Sequence, residues 1–86
     1  MRIIRLNPFK EDYKKLPPDI QKRADEKITF LITNSHHPSL RTKKIQGTKD
    51  VWEGRITKSI RFTFQITEDI YILRRIGKHD EVLRKP

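Results

Sequence analysis

Val51-Trp52-Glu53-Gly54-Arg55-Ile56 and Ile60-Arg61-Phe62-Thr63-Phe64-Gln65-Ile66 decide the fold of this chain. Side chains on a strand point alternately to its two faces. Trp52, Gly54 and Ile56 therefore share one face, and Glu53 and Arg55 the other. In the second run Ile60, Phe62, Phe64 and Ile66 oppose Arg61, Thr63 and Gln65. Both apolar rows reach one core only if Ile56 lies opposite Ile60. That register needs an odd connection through Thr57, Lys58 and Ser59, with a bulge. A two-residue loop would set Arg55 beside Phe62. The accepted register gathers Glu53, Arg55 and Arg61 on the face away from the core. A third run, Ile70 to Ile76, follows a short connector at Glu68-Asp69. There Ile72, Arg74 and Ile76 alternate with Tyr71, Leu73 and Arg75, and either row fits the core. Strict alternation sends Arg74 and Arg75 to opposite faces, so at most one of them enters any site.

The N-terminal half has a different period. Arg2 to Leu6 reads as a strand. Asn7 then reads as an N-cap, with Pro8 at the first helical position. Phe9, Tyr13 and Leu16 line one face of a short helix, which Pro17-Pro18 ends. Pro18 opens a second helix with Ile20, Ala24, Ile28 and Leu31 as its apolar stripe, closed by Asn34-Ser35-His36-His37-Pro38. Arg41 to Ile45 reads as a short basic strand and Gly47 to Asp50 as a turn. The result is one α+β domain over 1–86, with an N-terminal strand and a helical hairpin packed on one face of an antiparallel sheet. Trp52 belongs to the core row, and His36 and His37 to a loop.

Composition narrows the possible functions. The 86 residues include no cysteine, which excludes disulfides and thiolate chemistry. The spacing of His36, His37 and His79 gives no metal-ligand pattern, and no cofactor is expected. The first residues lack the apolar core of a signal peptide, and no apolar stretch approaches the roughly 20 residues of a membrane span. The expectation is a cytoplasmic protein with no membrane partner. The formal charge is +9, which favours a polyanionic partner. Residues 1–40 hold eight basic and five acidic side chains, a net of +3, and residues 41–86 hold twelve and six, a net of +6. The excess lies in the strand-rich half.

On the polar sheet face, Glu53, Arg55 and Arg61 are the candidate catalytic groups. His79 joins them if Gly77 lets the chain turn over the rim. Lys78 would follow, with Arg41, Lys43 and Lys44 at the edge as RNA-binding residues. Such a set suits RNA cleavage by 2′-hydroxyl attack. Arginine forks hold phosphate oxygens and stay ionised. A histidine or glutamate moves protons, typically worth about 10²–10⁴-fold in rate. The same residues also read as a solvated sheet surface in which Glu53 simply pairs with Arg55, or as a binding surface without catalysis.

Three segments carry a family resemblance: Trp52-Glu53-Gly54-Arg55-Ile56, Ser59-Ile60-Arg61-Phe62-Thr63-Phe64, and Leu73-Arg74-Arg75-Ile76-Gly77-Lys78-His79-Asp80-Glu81-Val82-Leu83. In this order, and with the strand and helices before them, the chain resembles the RelE/ParE toxins of type II toxin–antitoxin systems. It is most similar to the RelE, YoeB and YafQ ribonuclease branch. The resemblance implies a RelE-like fold of order β-α-α-β-β-β, with a further strand, and a ribosome-dependent, metal-independent mRNA endonuclease. Arg61 matches the family's phosphate-contacting arginine, and Arg55 stands where RelE has a lysine. His79 stands where YafQ and YoeB have a histidine acting as general acid. Glu53 replaces another RelE lysine and would act as a base or orient Arg55. Leu83 stands where RelE has a catalytic tyrosine and YafQ a phenylalanine, which shifts proton transfer onto His79. The implied partners are mRNA in the ribosomal A site, ribosomal RNA, and a RelB-like antitoxin with an acidic helical segment. Operator DNA would be reached only through the antitoxin complex.

Two other readings stand beside this one. A ParE-like protein would poison DNA gyrase by binding alone, although it would have no use for His79. A non-toxic relative would bind only antitoxin and operator DNA.

Overall fold

Prolines punctuate the N-terminal half. The computed structural model describes residues 2–86. Strand β1 (Arg2–Arg5) leads into helix α1 (Asn7–Lys14), and Pro18 opens helix α2 (Pro18–Thr33). Leu6, not Asn7, occupies the cap position of α1, and no side chain caps it. Asn7 and Pro8 thus form the first turn itself. A single 3₁₀ turn, Pro38–Leu40, follows α2. His37 stacks on Phe30 with ring centroids 4.1 Å apart, and its Nδ1 accepts from the Ser39 amide at 3.2 Å. This fixes the expected loop and leaves His37 in a structural role.

The sheet contains β2 (Lys43–Lys44), β3 (Trp52–Arg55), β4 (Ile60–Thr67) and β5 (Ile70–Lys78), in the spatial order β1-β5-β4-β3-β2. Strands β2 to β5 are antiparallel, as expected from the short connectors. Strand β1 adds to β5 in parallel, because two helices intervene and a crossover connection permits that direction. The β3–β4 register is the one parity required. Arg55 lies opposite Arg61, and the Ile56 and Thr57 amides both donate to the Ile60 carbonyl, at 2.9 and 3.2 Å.

Strand β5 resolves its ambiguity with a bulge. Thr63 pairs with Arg75, whereas Phe64 pairs with Leu73, leaving Arg74 outside the ladder. A bulge resets which residues face which side. Tyr71 and Leu73 are buried before it and Ile76 after it, so the core takes part of each row. Arg74 and Arg75 do not separate as alternation demands: both reach the C-terminal residues, Arg74 through the Pro86 oxygen and Arg75 through the Lys85 carbonyl.

The main core joins Phe9, Ala24, Ile28 and Leu31 of the helices to Phe62, Phe64, Tyr71, Leu73 and Ile76 of the sheet. At about 25 cal/mol per Å² of buried apolar surface, this contact is the dominant stabilising term. Gly54 lies opposite Phe62, and a methyl group there would run into the Phe62 ring.

The C-terminus departs from the sequence reading. Gly77 neither ends the strand nor makes a turn; β5 continues to Lys78, and a short helix, α3 (His79–Arg84), follows. Asp80 and Glu81 occupy its first turn, where carboxylates favour a helix N-terminus. A Cβ on Gly77 would touch only Val82 Cγ1, at 3.4 Å. Gly77 shares its face with Arg61, so Val82 packs on the outer side of the sheet. That side is therefore not open along its whole length. Thr63 is fully buried there, and its hydroxyl donates to the Pro86 oxygen at 3.1 Å.

Candidate active site

Two cross-strand rows build the outer face. One runs Lys43, Glu53, Thr63, Arg75, and the other Arg55, Arg61, Gly77. The second row sets two arginines side by side, with no side chain on the third strand. Directly opposed residues bring their Cβ atoms within about 4.5–5.5 Å, so Arg55 and Arg61 present their positive charge together. Like charges this close repel each other, and an anion between them relieves the repulsion.

Arg61 is held from two directions. Its Nη1 donates to the Thr57 carbonyl at 2.6 Å and the Lys58 carbonyl at 2.8 Å. Its Nε lies 3.9 Å from Glu53 Oε1. Only 17% of its side chain is exposed, and its Nη2 has no hydrogen-bond partner among the described residues. An arginine so constrained loses little freedom when it binds a phosphate.

The Glu53 side chain is only 6% exposed and lies 3.9 Å from both Lys43 Nζ and Arg61 Nε. Its partner is Arg61, across the strand pair, rather than Arg55 two residues on. The diagonal arises because Glu53 faces Thr63 while Arg61 faces Arg55. A buried carboxylate between two cations orients and compensates them; it presents little surface to a substrate hydroxyl.

His79 reaches the same end of the sheet. Its amide donates to the Ser59 carbonyl at 2.9 Å, so it sits against the hairpin loop that also binds Arg61. The side chain is 46% exposed, with Nδ1 3.2 Å from Asp80 Oδ1. That contact leaves Nε2 free for other partners.

The remaining sequence candidates are less concentrated. Lys43 lies beside Glu53 in the outer row. Lys44 faces Trp52 in register and pairs with Asp50 at 3.5 Å, on the opposite side. Lys78 faces Ile60, which also turns it from Arg61, toward Lys15, Leu16 and Pro17. Arg41 ends the 3₁₀ turn in the left-handed region at φ 45°. Leu83 is half-buried on α3.

Asp12 and Arg75 were missed as a pair by sequence reasoning. Arg75 Nε and Nη2 donate to the two Asp12 oxygens at 2.6 and 3.2 Å, and the Ile76 amide donates to Asp12 at 3.1 Å. The hydrogen bond to Asp12 raises the Arg75 pKa above its ordinary value, outweighing partial desolvation. More than sixty positions separate the two in sequence, so no local pattern shows them together.

Among the described residues, no group of three histidine, cysteine or acidic side chains is placed to hold a metal ion. No helix among them is long and apolar enough to cross a membrane.

No protein-family model and no curated protein matches the chain. Solved structures do. A chain of the RelB–RelE antitoxin–toxin complex from Methanococcus jannaschii superposes with a TM-score of 0.75 at 24% identity, over 96% of this chain and 99% of that one. YafQ from Escherichia coli strain BL21(DE3) gives 0.81 at 16% identity, over 95% and 98%. The YoeB/ParE toxin from Agrobacterium tumefaciens gives 0.79 at 14%, over 92% and 99%. Across nearly its whole length, the chain has the fold of the RelE, YafQ and YoeB toxins.

Proposed function

We propose that the protein is the toxin of a type II toxin–antitoxin system and acts as an endoribonuclease on mRNA in the ribosomal A site. The observation that supports this reading is the Arg55–Arg61 row on the outer face of a RelE-like sheet, with the His79 amide bonded to the hairpin loop that also holds Arg61.

In the proposed reaction the RNA 2′-hydroxyl loses its proton to solvent water as its oxygen attacks the adjacent phosphorus, closing a 2′,3′-cyclic phosphate while the bond to the 5′-oxygen breaks. Arg61 binds a non-bridging phosphate oxygen through its free Nη2, and Arg55 supplies a second positive charge. Fixed cations aimed at developing negative charge are among the largest contributors to catalysis. The arginines supply this charge without a metal. Glu53 holds Arg61 in place. His79, protonated at Nε2, gives its proton to the leaving 5′-oxygen. Leu83 has no proton to give, so His79 carries that transfer alone.

The partner reading follows from the same likeness. A RelB-like antitoxin with an acidic helical segment would mask the basic outer face, and operator DNA would be met through that complex. Ribosomal RNA would hold the remaining basic surface, including Lys43 and Arg41. A chain of +9 gains long-range attraction to each of these polyanions.

Single-turnover cleavage of mRNA on programmed ribosomes tests the reading. His79→Ala is expected to slow cleavage about 10²–10⁴-fold, the usual range for a lost proton-transfer group. Cleavage at the parent rate would remove His79 from the mechanism.

A further inference from the structure

The far end of the outer face holds a second cluster of positive charge. A cleft of about 510 Å³ is lined by Thr48, Lys49, Gln65, Arg74, Lys85 and Pro86 among others, with no acidic side chain in its lining. Arg74 follows the buried Leu73 and therefore points to the outer face, and as the bulge residue it has no ladder partner there. Its orientation is fixed. Nε donates to the Pro86 oxygen at 3.1 Å and Nη1 to Gln65 Oε1 at 2.8 Å. Gln65 is in turn held by the Lys49 carbonyl, at 3.4 Å. Arg74 Nη2 has no partner among the described residues, and Lys49 and Lys85 are exposed beside it.

Gln65 is four positions from Arg61 along β4, which at 3.2–3.4 Å per residue separates the two clusters by roughly 13 Å. One phosphate cannot touch both. The C-terminal residues lie between them, over Thr63.

We propose that the Lys49–Arg74–Lys85 cleft is a second anion site, which holds a phosphodiester of single-stranded RNA flanking the one bound at Arg61. The inference rests on the reading of the outer face as an RNA-cleaving site and adds to it a subsite distant from the reacting bond. The site binds charge rather than bases, so it contributes affinity and register without sequence preference.

The test is equilibrium binding of 2′-O-methyl RNA, which cannot be cleaved because the attacking oxygen is blocked. A dinucleotide and an octanucleotide are titrated against the parent chain, Arg74→Gln, Lys49→Gln and Arg61→Gln over a range of salt. Arg74→Gln is expected to weaken the octanucleotide roughly fivefold and to lower its salt slope by about 0.7, one phosphate contact on a single strand. The dinucleotide is expected to bind it as tightly as the parent. Lys49→Gln, altering an exposed side chain, is expected to lower the octanucleotide slope in the same direction, and it serves if Arg74→Gln fails to fold. Parent-like octanucleotide binding by both variants would overturn the subsite, as would equal loss for both lengths. A loss confined to Arg74→Gln and Lys49→Gln, with Arg61→Gln unchanged, would keep the cleft and refute the catalytic reading. No octanucleotide binding by the parent chain would overturn the subsite, while cleavage on programmed ribosomes decides the catalytic reading separately.

Discussion

Glu53 Oε1 lies 3.9 Å from Arg61 Nε, and the carboxylate is almost wholly buried while the guanidinium still reaches the surface. The pair gives the outer face its direction. Lys43 approaches the same oxygen from the other side, also at 3.9 Å, but its side chain is 70% exposed. Exposed lysines contribute little to such contacts. The carboxylate therefore acts mainly on Arg61.

Glu53→Gln separates orientation from proton transfer. The amide keeps the shape and loses the charge. If Glu53 positions Arg61, cleavage on ribosomes should fall by roughly tenfold, well below the 10²–10⁴-fold typical of a lost general base. The pH profile should keep its form. A loss beyond about a hundredfold, with one ionisation gone from the profile, would make Glu53 the base.

Gly54 is required for space rather than for backbone freedom. Its partner Phe62 is fully buried and occupies the position of the missing methyl group. Gly54→Ala should destabilise the fold by about 1–3 kcal/mol through overpacking, measured by urea unfolding. In a Phe62→Leu background the same change should cost much less, because the ring is gone. Additive costs in the double mutant would show that the two positions do not compete for the same space.

Asp12 fastens α1 to the edge of β5 where β1 ends. It accepts from the Arg75 guanidinium and from the Ile76 amide. Asp12→Ala should cost about 2–3 kcal/mol, since hydrogen bonds to charged groups and a stranded amide are both lost. Asp12→Asn should cost less, because it still accepts from the amide. The Arg75 pKa is raised above an already high ordinary value. Its contribution is thus complete below that ordinary value and lost only as pH rises through the folded one, leaving Arg75 charged across the working range. Parent-like stability of both variants would contradict the account.

The sequence made the core and one half of the site legible, for physical reasons. Alternation and helical spacing report burial directly, so the Ile56–Ile60 register and the α2 stripe followed from the residues alone. The β5 bulge left no local mark, because it exists only relative to the β4 partner. That hid Arg75, which alternation from the buried Leu73 would send to the core face although it pairs with Thr63 in the outer row. Helix α3 spans six residues with one buried apolar side chain, Val82, too short for a periodic signal. The Glu53–Arg61 pairing was hidden because Arg55 is closer in sequence and offers the same charge. Lys44 and Lys78 read as neighbours of the site, yet register turns both toward the other face.

The most direct measurement maps the 5′ ends of cellular mRNA after induction of the chain without an antitoxin. Parent, Arg61→Gln and His79→Ala are compared at equal amounts of folded protein. The account predicts growth arrest and new 5′ ends within translated codons for the parent, and a loss of both for each variant. Intact mRNA with arrested growth, whether or not gyrase-linked DNA breaks accompany it, would contradict it, and so would robust growth of the strain expressing the parent.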